Sequence, residues 1–390
     1  MNFIPYGRQN ITEEDIDAVV NVLKSDYLTQ GPKVPEFENA IKEHCNVEYV
    51  LAMNSATSAL HVACLALDVG KGDIVWTTPI TFVASANCAL YCGATVDFVD
   101  IDPRTYNLSI QSLEHKLKAA KEQGKLPKVV IPVHLCGQPC DMERIYQLSK
   151  NYGFSVIEDA SHAIGGKYKN QPIGNCQYSD ITIFSFHPVK IITTAEGGVA
   201  TTKSEELAQK MELLRSHGIT RDSDLMTHEP DGPWYYQQVD LGYNYRMTEM
   251  QAALGVSQIK RLSSITKSRH EIANRYNEKL ARLAVIVPFQ IQESYSGLHL
   301  YVIRLKLDKI KPTHLEVFKA LRAANIGVNL HYIPVHLQPY YREHFGFKLG
   351  DFPQAEQYYR EAISLPLYPD LSQEQQDYVV ETLKDILAYD

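Results

Sequence analysis

The chain has little cysteine, no long apolar run and no excess of basic residues, and each shortage closes off a class of function. Seven cysteines in 390 residues are few and odd in number, which argues against a disulfide framework. Cys136 and Cys140 invite a metal reading, but Gly137 and Pro139 lie between them and no second pair sits at zinc-site spacing. His134, His217, His270 and His336 fit no ligand set either. Reduced thiols and no catalytic metal are expected. No apolar stretch approaches the roughly 18–20 residues that span a bilayer. The segment MNFIPYGRQN lacks the basic start and apolar run of a signal peptide, so no membrane partner and a cytoplasmic location are expected. Acidic residues outnumber basic ones by 46 to 38, for a net charge of −8. Such a chain has no broad basic field for nucleic acid. A phosphorylated small molecule needs only a few local donors and stays open.

What is present describes a globular enzyme-sized chain. Hydrophobic residues make up 45% and charged residues 22%, ordinary for a packed domain. The length suits a large domain plus a smaller one. Thr12 before Glu13-Glu14-Asp15, with Ile16, Val19, Val20 and Leu23 at helical spacing, predicts a helix over 12–24. Strands are predicted at 49–53, 74–78, 96–99, 128–133, 154–158 and 181–186, with helices at 57–67, 81–92, 109–123 and 141–152 between them. That alternation predicts an α/β fold with a mixed, mostly parallel sheet. From about residue 205 the pattern changes. Helices are expected at 204–216, 247–282, 313–325 and 372–388, and strands at 298–307 and 327–332. The expected division is a large domain over 1–246, its first thirty residues reaching a substrate pocket, and a smaller α+β domain over 247–390 joined through one long helix.

In an open α/β sheet, ligands lie beyond the C-terminal ends of the strands. After the first predicted strand come Ser55, Ala56 and Thr57 at the start of a helix. Free N–H groups and the positive dipole end there suit a phosphate, although Ser and Thr are also ordinary caps. Phe82 follows the second strand and can stack on a flat ring or simply fill a core. Asp159 ends the fifth, where a buried carboxylate needs a cationic partner or caps the next turn. Ser185 and Lys190 close the sixth. Lys190 sits between apolar runs and before Gly197-Gly198, an odd setting for a surface lysine and a suitable one for a Schiff-base amine. Phosphate cup, ring stack, carboxylate and lysine, in that chain order, match fold-type I pyridoxal-phosphate (PLP) enzymes.

The run SFHPVKIITTAEGG closely resembles the lysine motif of the sugar-nucleotide aminotransferases, the DegT/DnrJ/EryC1/StrS family. NSATSALH, TTPITFVASAN, EDASHAIGG and GYNYRMTEMQAALG resemble its other blocks, from YLTQGP at 27–32 to ISLPLYPDL near the end. The resemblance implies a PLP-dependent aminotransferase of the aspartate-aminotransferase-like fold, with pyridoxamine phosphate as its intermediate. It implies Lys190 as the catalytic Schiff-base lysine; Ser55, Ala56, Thr57 and Ser185 around the phosphate; Phe82 on the ring; Asp159 at the ring nitrogen; and His162 near the ring hydroxyl. Asn244 would reach the cofactor phosphate of a neighbouring subunit, which implies a homodimer with shared sites. Tyr6, Asp26, Tyr27, Leu28, Thr29, His331 and Tyr332, with Ala56, Ser185 and Asn244, match substrate-pocket positions. TTPITF, FSFHPVK, RSHGI and HYIPVHLQPYY are most similar to the branch that aminates C4 in pseudaminic acid biosynthesis. That branch implies L-glutamate as donor and a UDP-linked 2-acetamido-2,6-dideoxy 4-keto sugar of the L-arabino series as acceptor; the alternatives are a D-configured UDP- or dTDP-linked 4-keto-6-deoxy sugar as acceptor and, more remotely, a non-catalytic PLP-binding regulatory protein. Ile191 and Ala195 depart from the common pattern beside the lysine. Relatives with His in place of the lysine are dehydratases, so Lys190 favours amino transfer.

Overall fold

The computed structural model describes residues 1–388. Its main sheet has seven strands: β1 (Tyr49–Met53), β2 (Ile74–Thr77), β3 (Thr95–Phe98), β4 (Val129–Ile131), β5 (Ser155–Asp159), β6 (Ile181–Ser185) and β7 (Gly198–Thr202). Their order across the sheet is β1-β7-β6-β5-β4-β2-β3. Neighbours run parallel from β3 to β6, while β7 is antiparallel to both β6 and β1. Parallel strands covered on both faces read as continuous apolar runs, and VVI in β4 and ITIFS in β6 are buried throughout.

The helices follow the sequence closely. α1 (Glu13–Leu23) starts after Thr12, whose backbone N–H is held by Asp15 Oδ2 at 2.9 Å. α2 (Lys33–Cys45), α3 (Ala56–Ala66), α4 (Ala84–Tyr91), α5 (Ile110–Glu122), α6 (Met142–Tyr152) and α7 (Glu205–Arg215) complete the large layer. α3 is buried almost all round. Its small residues Ala59, Ala63 and Ala66 let it pack against the sheet.

A second core surrounds a three-stranded antiparallel sheet, β8 (Val285–Ile286), β9 (Tyr301–Leu305) and β10 (Ala362–Leu365), in that order. Tyr276, Ile303, Val317, Ile363 and Leu383 fill it. Ile4 lies in the same core and is fully buried. Its N–H donates to the Asn325 carbonyl at 2.9 Å, and Leu367 N–H donates to the Tyr6 carbonyl at 3.0 Å. The start of the chain is thus anchored in the C-terminal core through Ile4, while Tyr6 also packs against the cluster that includes Ile80 and Phe98 of the large layer.

Three expectations need correction. The single helix predicted over 247–282 is two, α8 (Glu249–Ile259) and α9 (Leu262–Leu280), because Arg261 leaves helical geometry with φ −101° and ψ 0°. The strand predicted at 327–332 is an irregular segment with one bridge, Asn329 to Ser364. Strand β7 is not among the expected strands, since GVATT begins inside the Gly197-Gly198 pair, which reads as a turn. No helix among the described residues is long and apolar enough to cross a membrane.

Candidate active site

A cavity of 430 Å³ opens at the C-terminal ends of β1, β5 and β6, where the sheet rule places a ligand. Each wall comes from a different element.

The floor near β1 is the start of α3. Ser55 is the N-cap, with φ −163° and ψ 159°, and its Oγ accepts the Ser58 N–H at 3.0 Å. Ala56 and Thr57 follow as the first helical residues, whose N–H groups have no carbonyl one turn back. All three line the cavity. Gly198 lies so close beneath them that a Cβ would meet Ser55 C and Ala56 Cα at 2.5 Å. A side chain there would push α3 into the cavity.

Asp159 ends β5 and is 4% exposed. Oδ1 accepts the Ser161 N–H at 3.1 Å, so the residue does cap the following turn. Oδ2 accepts a 2.5 Å hydrogen bond from Ser85 Oγ. Ser85 Oγ lies 2.7 Å from Thr81 Oγ1, and both hydroxyl residues are buried. Turn cap and cavity carboxylate are therefore both true of Asp159.

Lys190 follows β6 in the loop that returns to β7. Phe186 N–H donates to the Gly197 carbonyl at 2.9 Å, and Thr194 N–H to the Phe186 carbonyl at 3.0 Å, closing that loop at its base. The lysine lines the cavity and is the only lysine or arginine among the residues described there. Burial pushes its pKa down to about 8, against the upward pull of the Asp159 carboxylate.

Three histidines complete the wall toward the C-terminal core. His162 Nδ1 accepts the Cys136 N–H at 3.3 Å and Nε2 lies 3.1 Å from Tyr332 Oη. Because Nδ1 accepts from a backbone N–H, Nε2 carries the proton and donates to Tyr332. The His299 ring lies tilted against His162, with centres 4.4 Å apart, and its buried Nδ1 has no partner among the described residues. His331 Nδ1 lies 2.7 Å from Ser364 Oγ. Burial, reinforced by the Lys190 charge, holds His331 down to about 4 and keeps His162 and His299 well below the usual range, the latter also through His162. The wall is polar but uncharged at neutral pH. Tyr6 lines the cavity beside His331, with ring centres 5.2 Å apart. Phe82 stands at the mouth, 58% exposed and 6.2 Å from the Tyr332 ring.

The structure thus gathers Tyr6, Ser55, Ala56, Thr57, Phe82, Asp159, His162, Ser185, Lys190, His331 and Tyr332 around one cavity. It does not bring Asp26, Tyr27, Leu28, Thr29 or Asn244 there. These five are exposed on this chain. The Leu28 carbonyl accepts the Glu249 N–H at 3.0 Å, and the Asn244 carbonyl accepts from Asn54 Nδ2 at 3.4 Å. Sequence reasoning missed Thr81, Ser85, Ser161 and His299. Thr81 and Ser85 stand four residues apart where β2 leads into α4, a spacing that could have flagged them; His299 carried no signal.

The donor set fits pyridoxal phosphate. Asp159 would hold the ring nitrogen, Lys190 would bind the aldehyde carbon, and the start of α3 with Ser185 would hold the phosphate.

Comparison with known proteins agrees. The DegT/DnrJ/EryC1/StrS aminotransferase family model matches residues 9–384. The UDP-4-amino-4,6-dideoxy-N-acetyl-beta-L-altrosamine transaminase of Campylobacter jejuni (serotype O:2) is 39% identical over 386 residues, covering 98% of this chain and 97% of its own. The structure of Helicobacter pylori PseC, an aminotransferase involved in the biosynthesis of pseudoaminic acid, superposes with a TM-score of 0.90 at 30% identity over 99% of both chains. A Streptococcus pneumoniae sugar aminotransferase candidate, solved in its PLP form, superposes with a TM-score of 0.88 at 32% identity over 98% of both chains. The chain belongs to the DegT/DnrJ/EryC1/StrS aminotransferase family and is a PLP-dependent aminotransferase of fold-type I.

Proposed function

We propose that this enzyme is a sugar-nucleotide aminotransferase acting at C4. Its acceptor is UDP-2-acetamido-2,6-dideoxy-β-L-arabino-hexos-4-ulose, its donor L-glutamate, and its product UDP-4-amino-4,6-dideoxy-N-acetyl-β-L-altrosamine, in cytoplasmic pseudaminic acid synthesis. The observation that carries the reaction class is Lys190, an amine of lowered pKa in the same cavity as the Asp159 carboxylate. The Campylobacter and Helicobacter relatives support the choice of sugar.

Bound pyridoxal phosphate supplies the electron sink that makes the donor's α-proton removable. The chain's residues do the rest. The start of α3 binds and orients the phosphate through N–H groups and the helix dipole. Asp159 fixes the ring nitrogen and balances its charge. Lys190, with its pKa near 8, is poised to take a proton from one carbon and return it to another near neutral pH. The uncharged histidine wall offers hydrogen bonds to sugar hydroxyls without competing for the donor's carboxylate. Phe82, at the mouth of the cavity, would cover one face of the ring.

The site is completed by a second copy of the chain. Lys190 is the one cation of the described cavity wall, while phosphate, donor and diphosphate are all anionic. Asp26, Tyr27, Leu28, Thr29 and Asn244 lie outside the cavity and are exposed. In a homodimer with shared sites, Asn244 reaches the partner's cofactor phosphate and residues 26–29 its substrate.

The test is product analysis by mass spectrometry and NMR, with the L-arabino 4-keto substrate run beside its D-xylo isomer. Preferred formation of the 4-amino-L-altro product supports the proposal. Turnover of the D isomer alone would overturn the sugar assignment while keeping the chemistry. Full turnover by Lys190→Ala would overturn the mechanism.

A further inference from the structure

The hydroxyls behind Asp159 have a fixed direction, and that direction has a chemical effect. Ser85 Oγ lies 2.5 Å from Asp159 Oδ2 and 2.7 Å from Thr81 Oγ1. An ionised carboxylate only accepts. With the carboxylate ionised, Ser85 spends its single proton on Asp159 rather than on the Phe82 carbonyl 3.3 Å away, and its oxygen is left to accept from Thr81. The order is Thr81 to Ser85 to Asp159, and its last link is the strongest, because a donor to a charged acceptor is worth roughly twice a neutral one. Ser161 N–H occupies the other oxygen at 3.1 Å. Ser85 is 0% exposed, Thr81 3% and Asp159 4%, so water does not compete for these bonds. Two hydroxyls aligned head to tail polarise each other and strengthen the final bond.

We propose that Ser85, backed by Thr81, is a positioning residue that keeps Asp159 ionised when the cofactor is bound and so keeps the shared proton on the pyridine nitrogen. Hydrogen bonds to the charged form of an acid favour that form. A carboxylate with a donor on each oxygen is a poor base toward a ring N–H that approaches the same group. The proton then stays on the ring, where it is needed to draw electrons from the reacting carbon. The two hydroxyl residues also aim the carboxylate. With both oxygens tethered, its plane is fixed by the start of α4 and by the turn after β5, so a ring nitrogen bound there would meet a carboxylate of one orientation.

This inference rests on the cofactor lying against Asp159, and the experiment separates the two. The holoenzyme is made with nitrogen-15-labelled PLP as wild type, Ser85→Ala, Thr81→Val and Asp159→Asn. The ring-nitrogen resonance and the PLP dissociation constant are measured for each. Ser85→Ala is mild for the fold, since alanine is the better helix former and loses only a hydroxyl. It is expected to move the ring nitrogen toward its unprotonated position and to weaken PLP binding about tenfold, the loss of one charged hydrogen bond. Thr81→Val should shift both readings the same way by less, because Ser85 remains. A Ser85→Ala holoenzyme with an unmoved resonance and a dissociation constant within twofold of wild type would overturn the proposal while the cofactor site stands. A larger effect from Thr81→Val than from Ser85→Ala would overturn the order of the relay. An unchanged Asp159→Asn holoenzyme would overturn the placement of the cofactor itself, and this inference with it.

Discussion

Replacing Asp15 with alanine should release the N-terminal helix from the enzyme without unfolding the rest. Asp15 is fully buried although it begins a surface helix. Its Oδ2 accepts from Thr12 N–H at 2.9 Å, Gln258 Nε2 at 2.7 Å and Arg261 Nη2 at 2.5 Å. One oxygen therefore starts α1 and ties it to the end of α8. Burial alone would raise the carboxyl's pKa, but hydrogen bonds from Ser257, Thr12 and Gln258 and the Arg261 charge outweigh it and hold the pKa below the usual range. Removing one partner of a buried pair costs 3–5 kcal/mol. Arg261 is 27% exposed and can rehydrate, so the lower end applies, about 3 kcal/mol. Two domains need not unfold as one, so the sensitive assay is local. Amide hydrogen exchange in residues 12–24 should speed up roughly a hundredfold, at one decade per ~1.4 kcal/mol. The sign in pH follows from the depressed pKa. The stabilisation is present above the unfolded carboxyl value of about 3.9 and is lost as pH falls through the lower folded value. Wild type and variant should then converge only in strong acid. Exchange in α1 within threefold of wild type at neutral pH would refute the reasoning.

Three further outcomes are expected. Gly198→Ala should lose cofactor binding and at least 1–3 kcal/mol of stability by overpacking, because its Cβ would collide with immobile backbone at Ser55 and Ala56; thermal melts with and without PLP check this. Lys190 has its pKa lowered to about 8, so the rate at which the apoenzyme captures PLP should climb as pH rises through 8 and level off above it, read by the visible absorbance of the lysine-bound cofactor. His331 is held at about 4 against an unfolded value near 6.5. Its neutral form is fully compatible with the fold above pH 6.5, and stability falls as pH drops from there toward 4. A shift of that size is worth roughly 3 kcal/mol, and His331→Gln should flatten the acid limb of a pH–stability curve.

The large sheet was legible because each of its parallel strands is a short apolar run between helices with clear caps: Thr12, Ser109, Asp141 and Ser204 all precede observed helices. The site was legible where one residue type does one job, as Asp159 and Lys190 do at the ends of β5 and β6. It was not legible where residues meet across long separations. Ser85 reaches Asp159 from 74 positions away, and His162 meets Tyr332 across 170. The break at Arg261 was hidden because apolar residues keep helical spacing through it, Ile259 and Leu262 included. Tyr6 could be matched to a pocket position by resemblance, but its delivery by the C-terminal core depends on Ile4 entering that core, which a lone isoleucine near the start of a chain does not announce.

The reversed strand β7 has a consequence for how the reactive lysine is held. Ser185 at the end of β6 pairs with Gly198 at the start of β7. Lys190 therefore rides on the connection of a β-hairpin, with both stems locked side by side in the sheet centre. A crossover to a parallel strand would have carried the chain away over a helix and left the lysine on a long lead. The hairpin closes at short sequence distance, so the segment bearing the amine can take shape early and with a small loop entropy cost. The distant pieces, α3, α4 and the histidine wall, then assemble around a lysine whose base is already fixed.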